Sequence, residues 1–282
     1  MSIRIVTDST CDLPQEIVDT YGITVVPLYI NFGDQGYLDG VEISRQEFYQ
    51  RLPDSDPLPT TATPGVDAFR QTYERLADEG ASEILSIHIS ISLSATVDVA
   101  RTAAKQTQKV PVTVFDSQQL SLGTGFLVLS AAKAAAQGVP VEQIIAMLEE
   151  QTSRTYVIAT LDTLEFLKRS GRMNAVVASL GSMLQIKPLL IMHAGKPTGE
   201  RVRTRERALK RVIQFISEIG PLEQLALVHT NASQEAQDLY HKAKHLFPNQ
   251  EEPLSVDVTP VLGTNIGPGV VGFACITANK AD

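Results

Sequence analysis

The sequence predicts an α/β fold in two domains. An N-terminal α/β/α domain over residues 1–155 is built on a parallel sheet, and a C-terminal two-layer domain over 156–282 on a mixed sheet with helices on one face. Three observations carry this. The apolar runs at 3–6, 83–89 and 112–115 each end in a polar turn and lead into a helical pattern, which implies right-handed βαβ crossovers. Beyond residue 155 the rhythm changes to a hairpin and paired strands, with no Gly/Ser linker at the boundary. Finally, 282 residues at 43% hydrophobic content can bury about three quarters of the unfolded surface without disulfides or metals.

The first run stops at Thr7-Asp8-Ser9-Thr10, residues that favour turns and helix caps, and a helix over 14–21 follows. Residues 24–32 are β-rich and end in the turn Gly33-Asp34-Gln35-Gly36, and 53–59 form a loop. Thr63 is placed to cap a helix that starts at Pro64 and runs to Asp78, with Gly80 ending it. In the strand at 83–89, Ile84, Ser86 and His88 share one face, and Leu85, Ile87 and Ile89 the other. The polar loop 90–96 opens a helix over 97–108. The strand 112–115 precedes helices over 123–137 and on to Glu150, separated by Gly138-Val139-Pro140.

In the second half, 156–159 reads as a strand and 162–168 as a short helix stopped by Ser170-Gly171, with Asn174 capping another. Residues 185–192 and 196–203 form a hairpin around Ala194-Gly195. Leu209, Val212, Ile213, Ile216 and Ile219 mark an amphipathic helix. After a strand at 225–229, Asn231 and Gln234 suit the cap and N3 of a helix that carries Ala236, Leu239, Tyr240, Ala243 and Phe247 on one stripe. Strands at 255–261 and 270–277 close the chain, bringing the mixed sheet to six strands.

Composition narrows the function classes. Twenty-four basic against 32 acidic residues leave a net charge of −8, which argues against a duplex nucleic-acid binder. Cys11 and Cys275 lie at opposite ends of the chain, in no metal or disulfide spacing. Asp8 interrupts the N-terminus before a secretion signal could form, and Lys133 and Lys187 break the best apolar runs. The expectation is a soluble cytoplasmic protein with no metal and no cofactor.

Several familiar signatures are incomplete. Gly123-Thr124-Gly125 starts a dinucleotide fingerprint but has Val at 128, so it reads as close helix packing; there is no GxxxxGK[ST] and no GxSxG. His241 and His245 have metal-capable spacing but lack the HExxH glutamate, and read as a solvated face. His88, His193 and His229 are isolated and read as structural, although His229 ends a strand, where α/β proteins place ligands. Asp8-Ser9 and Asp116-Ser117 each close a strand, which suits either helix capping or a site edge. The hydroxyl-rich loop 90–96, and Thr61 with Thr63, sit at expected helix starts. Capping accounts for one hydroxyl per helix; carboxylate or phosphate binding would account for the surplus. Gly267-Pro268-Gly269 reads as a rigid turn between strands. The run Arg201, Arg203, Arg205, Arg207, Lys210 and Arg211 is either a solvated face or a docking patch for an acidic partner.

Taken together, IVTDSTCDLP near the start, TTATP at 60–64, ISLSAT at 91–96, VFDSQQLSLGTG at 114–125, LDTLEFLKRSGRM at 161–173, LGSMLQIKPLL at 180–190, RVRTRERAL at 201–209 and GTNIGPG at 263–269 resemble the DegV family of bacterial fatty-acid-binding proteins. The resemblance implies a DegV-like two-domain fold with a long-chain fatty acid in an apolar tunnel between the domains. It implies a non-catalytic subunit that presents the carboxylate to a separate ATP-dependent fatty acid kinase, which makes an acyl phosphate for phospholipid synthesis. Carried onto this chain, the ligand-binding positions are Thr61, Ala62, Thr63, Ser94, Ala95, Thr96, Arg172, Asn265, Ile266 and Gly267, with Thr61 and Ser94 meeting the carboxylate, Arg172 stabilising charge at the head, and Arg201 and Arg203 docking the kinase. Burial of the tail would contribute ~0.8 kcal/mol per methylene. Two other readings stand beside this one: a phosphotransferase related to the dihydroxyacetone kinase fold, binding Mg-ATP around Asp8 and Asp116, and a lipid-sensing interaction protein using the 201–211 patch.

The chain departs from the family pattern at three points. Ala95 replaces a Gly of LSGT, which would cost on the order of 1 kcal/mol if that position needs a positive φ. Ser170-Gly171-Arg172 stands for GGR, keeping the second Gly and the Arg. Asn265-Ile266 replaces the His-Thr of HTGPG; Asn265 can donate a hydrogen bond but cannot titrate, and Ile266 has no hydroxyl.

Overall fold

The computed structural model describes residues 2–172, 187–248 and 253–279. The first half runs β1 (Ile3–Asp8), α1 (Gln15–Thr20), β2 (Thr24–Val26), β3 (Tyr29–Phe32), β4 (Gln35–Leu38), α2 (Arg45–Arg51), β5 (Thr60–Ala62), α3 (Val66–Asp78), β6 (Glu83–His88), α4 (Thr96–Gln106), β7 (Val112–Asp116), α5 (Leu122–Ala136) and α6 (Val141–Arg154). The second runs β8 (Thr155–Thr160), α7 (Glu165–Arg169), β9 (Lys187–His193), β10 (Lys196–Val202), α8 (Arg205–Glu218), β11 (Leu222–His229), α9 (Ser233–Ala243), β12 (Ser255–Asp257), α10 (Pro260–Ile266) and β13 (Val271–Thr277). The expected cap at Asn174, the start of the hairpin at Gln185 and residues 180–186 of LGSMLQIKPLL lie outside the described residues.

Three sheets form. The parallel sheet has the order β2-β1-β6-β7, the mixed sheet β10-β9-β8-β13-β11-β12, and a small antiparallel sheet β4-β3-β5. Strand alternation places helices on both faces of the parallel sheet, as the α/β/α reading requires. Val6 and Ile84 pack with Phe69 and Tyr73 of α3 and Ala100 and Ala103 of α4. On the other face, Ile5, Leu85 and Ile87 pack on α5 and α6. The division of residues 84–89 into two faces holds, since Leu85, Ile87 and Ile89 join this second cluster while Ile84 joins the first.

The two sheets share a core. Val157, Met192, Ala226, Val228, Ala274 and Ile276 of the mixed sheet belong to the same cluster as Ile5, Leu85 and Phe126. α5 and α6 therefore lie between the two sheets, and this explains the composition of α5, LGTGFLVLSAAKAAA, which is apolar nearly all round rather than on one stripe. The opposite face of the mixed sheet, with Ile158, Leu227 and Phe273, is covered by α8 and α9. α6 ends at Arg154 and β8 begins at Thr155, so the chain passes from one layer to the next without a linker.

Four local expectations are corrected. Residues 24–32 split at Pro27-Leu28 into strands of different sheets, because Pro27 cannot donate to a ladder. Residues 60–62 form the strand β5 rather than a helix start; α3 begins at Val66 behind Gly65, and Thr63 caps nothing. Asn231 has φ +48 and stands before the turn; the N-cap of α9 is Ala232, and the Asn231 N–H donates to the Asp257 carboxylate at 2.8 Å. Residues 255–261 form only a three-residue strand before Pro260 opens α10, so Gly267-Pro268-Gly269 joins a helix to a strand rather than two strands.

Gly123 and Gly125 serve close packing, as expected. A Cβ at Gly125 would stand 2.4 Å from the Cys11 carbonyl oxygen, and one at Gly123 would stand 2.8 Å from Val157 Cγ2. Gly125→Ala would gain about 1 kcal/mol of helix propensity but force α5 away from the turn after β1, an overpacking that typically costs about 1–3 kcal/mol or more. We expect the variant to unfold at lower urea concentration than the parent, monitored by circular dichroism; an unchanged or higher midpoint would contradict the contact.

Candidate functional site

A cavity of about 300 Å³ lies between the carboxyl ends of β1 and β6 and the mixed sheet. Its volume sits at the lower end of ordinary small-molecule sites, roughly 300–1,000 Å³. The floor is the face of the mixed sheet left uncovered by α5 and α6, with Val157, Ala159 and Leu161 in and after β8 and Leu190 and Met192 in β9. The parallel-sheet side contributes Thr10, Ile89, Leu93, Ser94, Ala95 and Leu120. β5 and the residue after it contribute Thr61, Ala62 and Thr63, and α10 contributes Val261, Leu262, Asn265 and Ile266. Leu167 and Arg172 close one side. The lining is aliphatic apart from Thr10, Thr61, Thr63, Ser94, Arg172 and Asn265.

Of the residues singled out from the sequence, Thr61, Ala62, Thr63, Ser94, Ala95, Arg172, Asn265 and Ile266 meet at this cavity. Thr96 is fully buried and does not line it; its hydroxyl is 2.8 Å from that of Ser94 and so orients a lining group from behind. Gly267 is also set back, with φ +76 and a Phe166 ring carbon 2.4 Å from where its Cβ would be. Arg201 and Arg203 are exposed on and just after β10, away from the cavity. Within the same basic run, Arg205 is anchored on Asp162 and on the Gly269 carbonyl, and Arg211 on Glu200 and Glu218.

The departures from the family pattern read clearly in place. Ala95 has φ −75, so the missing Gly imposes no backbone strain. Gly171 keeps φ +74, the conformation that favours Gly there. The Asn265 amide N–H donates at 2.8 Å to the Val261 carbonyl of its own helix, while its side-chain carbonyl oxygen has no partner among the described residues. The Arg172 guanidinium donates to the Ser170 carbonyl at 2.7 Å and has no carboxylate partner among the described residues.

A second cavity, of about 340 Å³, adjoins the first and shares Thr61, Arg172 and Asn265 with it. Its lining is mixed. Apart from Pro57, Leu58, Pro59 and Phe166 its lining is polar, adding Asp56, Thr60, Arg169, Ser170 and Thr264.

Behind the first cavity lies a buried polar cluster that the sequence reading missed. Asp12, at φ +56, accepts from the Ser121 hydroxyl at 2.6 Å, the Thr259 N–H at 2.8 Å and Arg45 at 3.1 Å. Thr259 also donates to Asp39, and Arg45 to the Asp257 carbonyl. Burial raises the Asp12 carboxyl to about 6 against the pull of Arg45 and Ser121, and pushes Asp39 up as well. Asp12 thereby joins the turn carrying Thr10, the loop carrying Leu120 and the start of α10, all of which line the cavity. The only sequence trace is its place in IVTDSTCDLP, because its partners lie as far as 247 residues away.

The strand-end aspartates are structural. Asp8 is fully buried and accepts from His88 Nδ1 at 2.9 Å, the Ile89 N–H at 3.1 Å and both Thr10 donors. Burial raises its pKa, but these donors outweigh it and leave the carboxyl below its usual range. His88 in turn meets Ser86 at 2.7 Å, and Ser86 meets Tyr73 at 2.9 Å, all fully buried against α3. Asp116 accepts from the Ile91 and Gln118 N–H groups. Neither aspartate lines either cavity named above. His229 lies 3.5 Å from Asp257. Among the described residues no group of three or more His, Cys, Asp or Glu stands close enough to hold a metal ion, and no helix is long and apolar enough to cross a membrane.

A family model described as "Uncharacterised protein, DegV family" matches residues 2–278. A DegV domain-containing protein of Streptomyces coelicolor is 35% identical over 273 residues, covering 96% of each chain. The structure described as DegV, a fatty acid binding protein from Bacillus subtilis, superposes with a TM-score of 0.89 at 29% identity, covering 98% of this chain and 100% of that one. A DegV family protein from Thermus thermophilus, described by its fatty acid binding, superposes with a TM-score of 0.87 at 34% identity, covering 99% of this chain and 100% of that one.

The Asp12 carboxyl predicts a pH signature. Its folded pKa of about 6 lies above the ordinary 3.8, so the stability this group contributes is present below 3.8 and lost as pH rises through about 6. Asp12→Asn keeps the shape and the tolerance for positive φ but does not titrate. The stability of the parent minus that of Asp12→Asn should be about 1 kcal/mol greater at pH 5 than at pH 7.5. Urea unfolding at the two pH values measures this, and a difference that is flat or of opposite sign would contradict it.

Proposed function

The chain belongs to the DegV family, and on that premise we propose that it holds a long-chain fatty acid in the aliphatic cavity, with the carboxylate toward Thr61, Ser94 and Arg172. The observation that carries this is the chemistry of the lining: one cavity is aliphatic along β8, β9 and α10, and its hydroxyls and one guanidinium, without a carboxylate partner among the described residues, are few and named. An acyl tail would gain ~0.8 kcal/mol per methylene, so the tail supplies affinity and the head supplies register. The family and the Bacillus subtilis and Thermus thermophilus proteins support the ligand class. We take the domain boundary near residue 155, with the ligand between the halves.

In this reading the chain is a non-catalytic binding subunit in the cytoplasm. A separate ATP-dependent kinase phosphorylates the presented carboxylate for phospholipid synthesis, docking on Arg201 and Arg203, which are exposed and form no ion pair among the described residues. Arg172 would stabilise charge at the head during transfer. Asn265 changes the chemistry of that step, since one of its two amide N–H groups is engaged with Val261 and it cannot titrate as a histidine would.

Thr61→Ala combined with Ser94→Ala should weaken binding of hexadecanoic acid at least tenfold in titration calorimetry, with the circular dichroism spectrum unchanged. Equal affinity in parent and double variant would defeat the assignment of the head. Arg201→Glu with Arg203→Glu should leave fatty-acid affinity unchanged while abolishing capture of the kinase from cytoplasmic extract; capture by the variant would remove the docking role.

A further inference from the structure

The floor of the aliphatic cavity has two unlike ends. Strand register sets Ala159 opposite Leu190 and Val157 opposite Met192, with Pro197 of β10 on the other side of Met192. Residues directly opposite share a face, so the floor is a ladder of apolar rungs that runs from Leu161 to Val157. At the Leu161 end it packs with Leu167 of α7 and Ile266 of α10, beside the second cavity, whose lining includes Phe166, Arg172 and Asn265. At the other end Val157 and Met192 join the core cluster that Leu120 packs against. That end is closed by a seam. The Gln119 side-chain amide donates to the Thr155 carbonyl at 2.8 Å, and the Gly195 N–H donates to the Gln118 carbonyl at 3.0 Å. The loop after β7 is thus stitched across the start of β8 and the turn between β9 and β10. Beyond the rung of Val157, Met192 and Pro197, no described residue of these three strands lines the cavity. The members of that rung differ in stiffness. Val157 is β-branched and backed by α5, where a Cβ at Gly123 would stand 2.8 Å from its Cγ2. Pro197 is locked by its ring. Met192 is buried, unbranched and free to change rotamer, so it is the adjustable part of the end wall.

Resting on the acyl-tail reading above, we propose that Met192 determines which chain lengths the site accepts. With the carboxylate held at the Arg172 end, the terminal methyl of the tail abuts the Met192 side chain, and a longer chain must displace it against the stitched seam.

Titration calorimetry of the full chain with tetradecanoic, hexadecanoic and octadecanoic acids tests this. The readout is the ratio of octadecanoic to tetradecanoic affinity relative to the parent, in which the transfer of each methylene from water cancels. Met192→Ala should raise that ratio at least fivefold, and Met192→Phe should lower it at least fivefold. Leu161→Ala, which widens the floor at the head end, should weaken all three acids and leave the ratio within about twofold of the parent. Where Met192→Ala does not fold, Met192→Phe decides. A ratio unchanged by the Met192 substitutions would overturn the proposal, as would an equal rise in Leu161→Ala, and in both cases the fatty-acid reading would stand. Failure of the parent to bind any of the three acids would overturn the acyl-tail reading and this proposal with it.

Discussion

The carboxylate of Asp12 is the fixed point around which the cavity is assembled. It is buried, held in a left-handed backbone conformation, and satisfied by three donors from three separate segments. Two of those segments carry a cavity residue within two positions of the contact, Leu120 beside Ser121 and Val261 two residues beyond Thr259, and the turn of Asp12 itself carries Thr10. A buried carboxylate is expensive unless its lone pairs are filled, so the segments cannot separate without leaving it unpaired. Burial dominates over the Arg45 charge at this site, which is why the carboxyl titrates high although an ion pair is present at 3.1 Å.

The second constraint is the layer shared by the two sheets. α5 packs on the parallel sheet on one side and on the mixed sheet on the other, so its small and apolar residues are buried nearly all round. Gly125 lets the turn after β1 approach the helix axis, and that turn leads into Asp12. Where α5 and α6 stop covering the mixed sheet, its aliphatic face is left open, and the loops after β1 and β6 roof it over. The cavity is thus a consequence of layers that do not cover one another completely, placed at the strand ends where open α/β sheets offer a crevice.

Much of this was legible in the sequence because it depends on local pattern. The faces of β6, the amphipathic stripe of α8 and the hairpin turn at Ala194-Gly195, which has φ +45 and +74, follow from periodicity and turn chemistry. That Thr61, Ser94, Arg172 and Asn265 come together was legible through motif resemblance, without the geometry of the cavity they line. Other parts were not legible. Thr61 and Thr63 looked like helix-start residues because Pro64 follows them, whereas pairing with β3 makes 60–62 a strand. Asn231 looked like a cap by identity, but the carboxylate of Asp257 on a neighbouring strand holds its N–H instead. The Asp12 cluster, and the floor supplied by β8 and β9, depend on contacts far apart in sequence and leave no local signature.

The central claim is that the aliphatic cavity exists to hold an acyl chain. Native mass spectrometry of the protein purified without added lipid, before and after denaturation, tests it most directly. The account predicts an intact mass above that of the chain and, on denaturation, release of an acyl lipid. A protein that is empty as purified and takes up no added fatty acid would contradict it, and the family likeness would then stand for the fold alone.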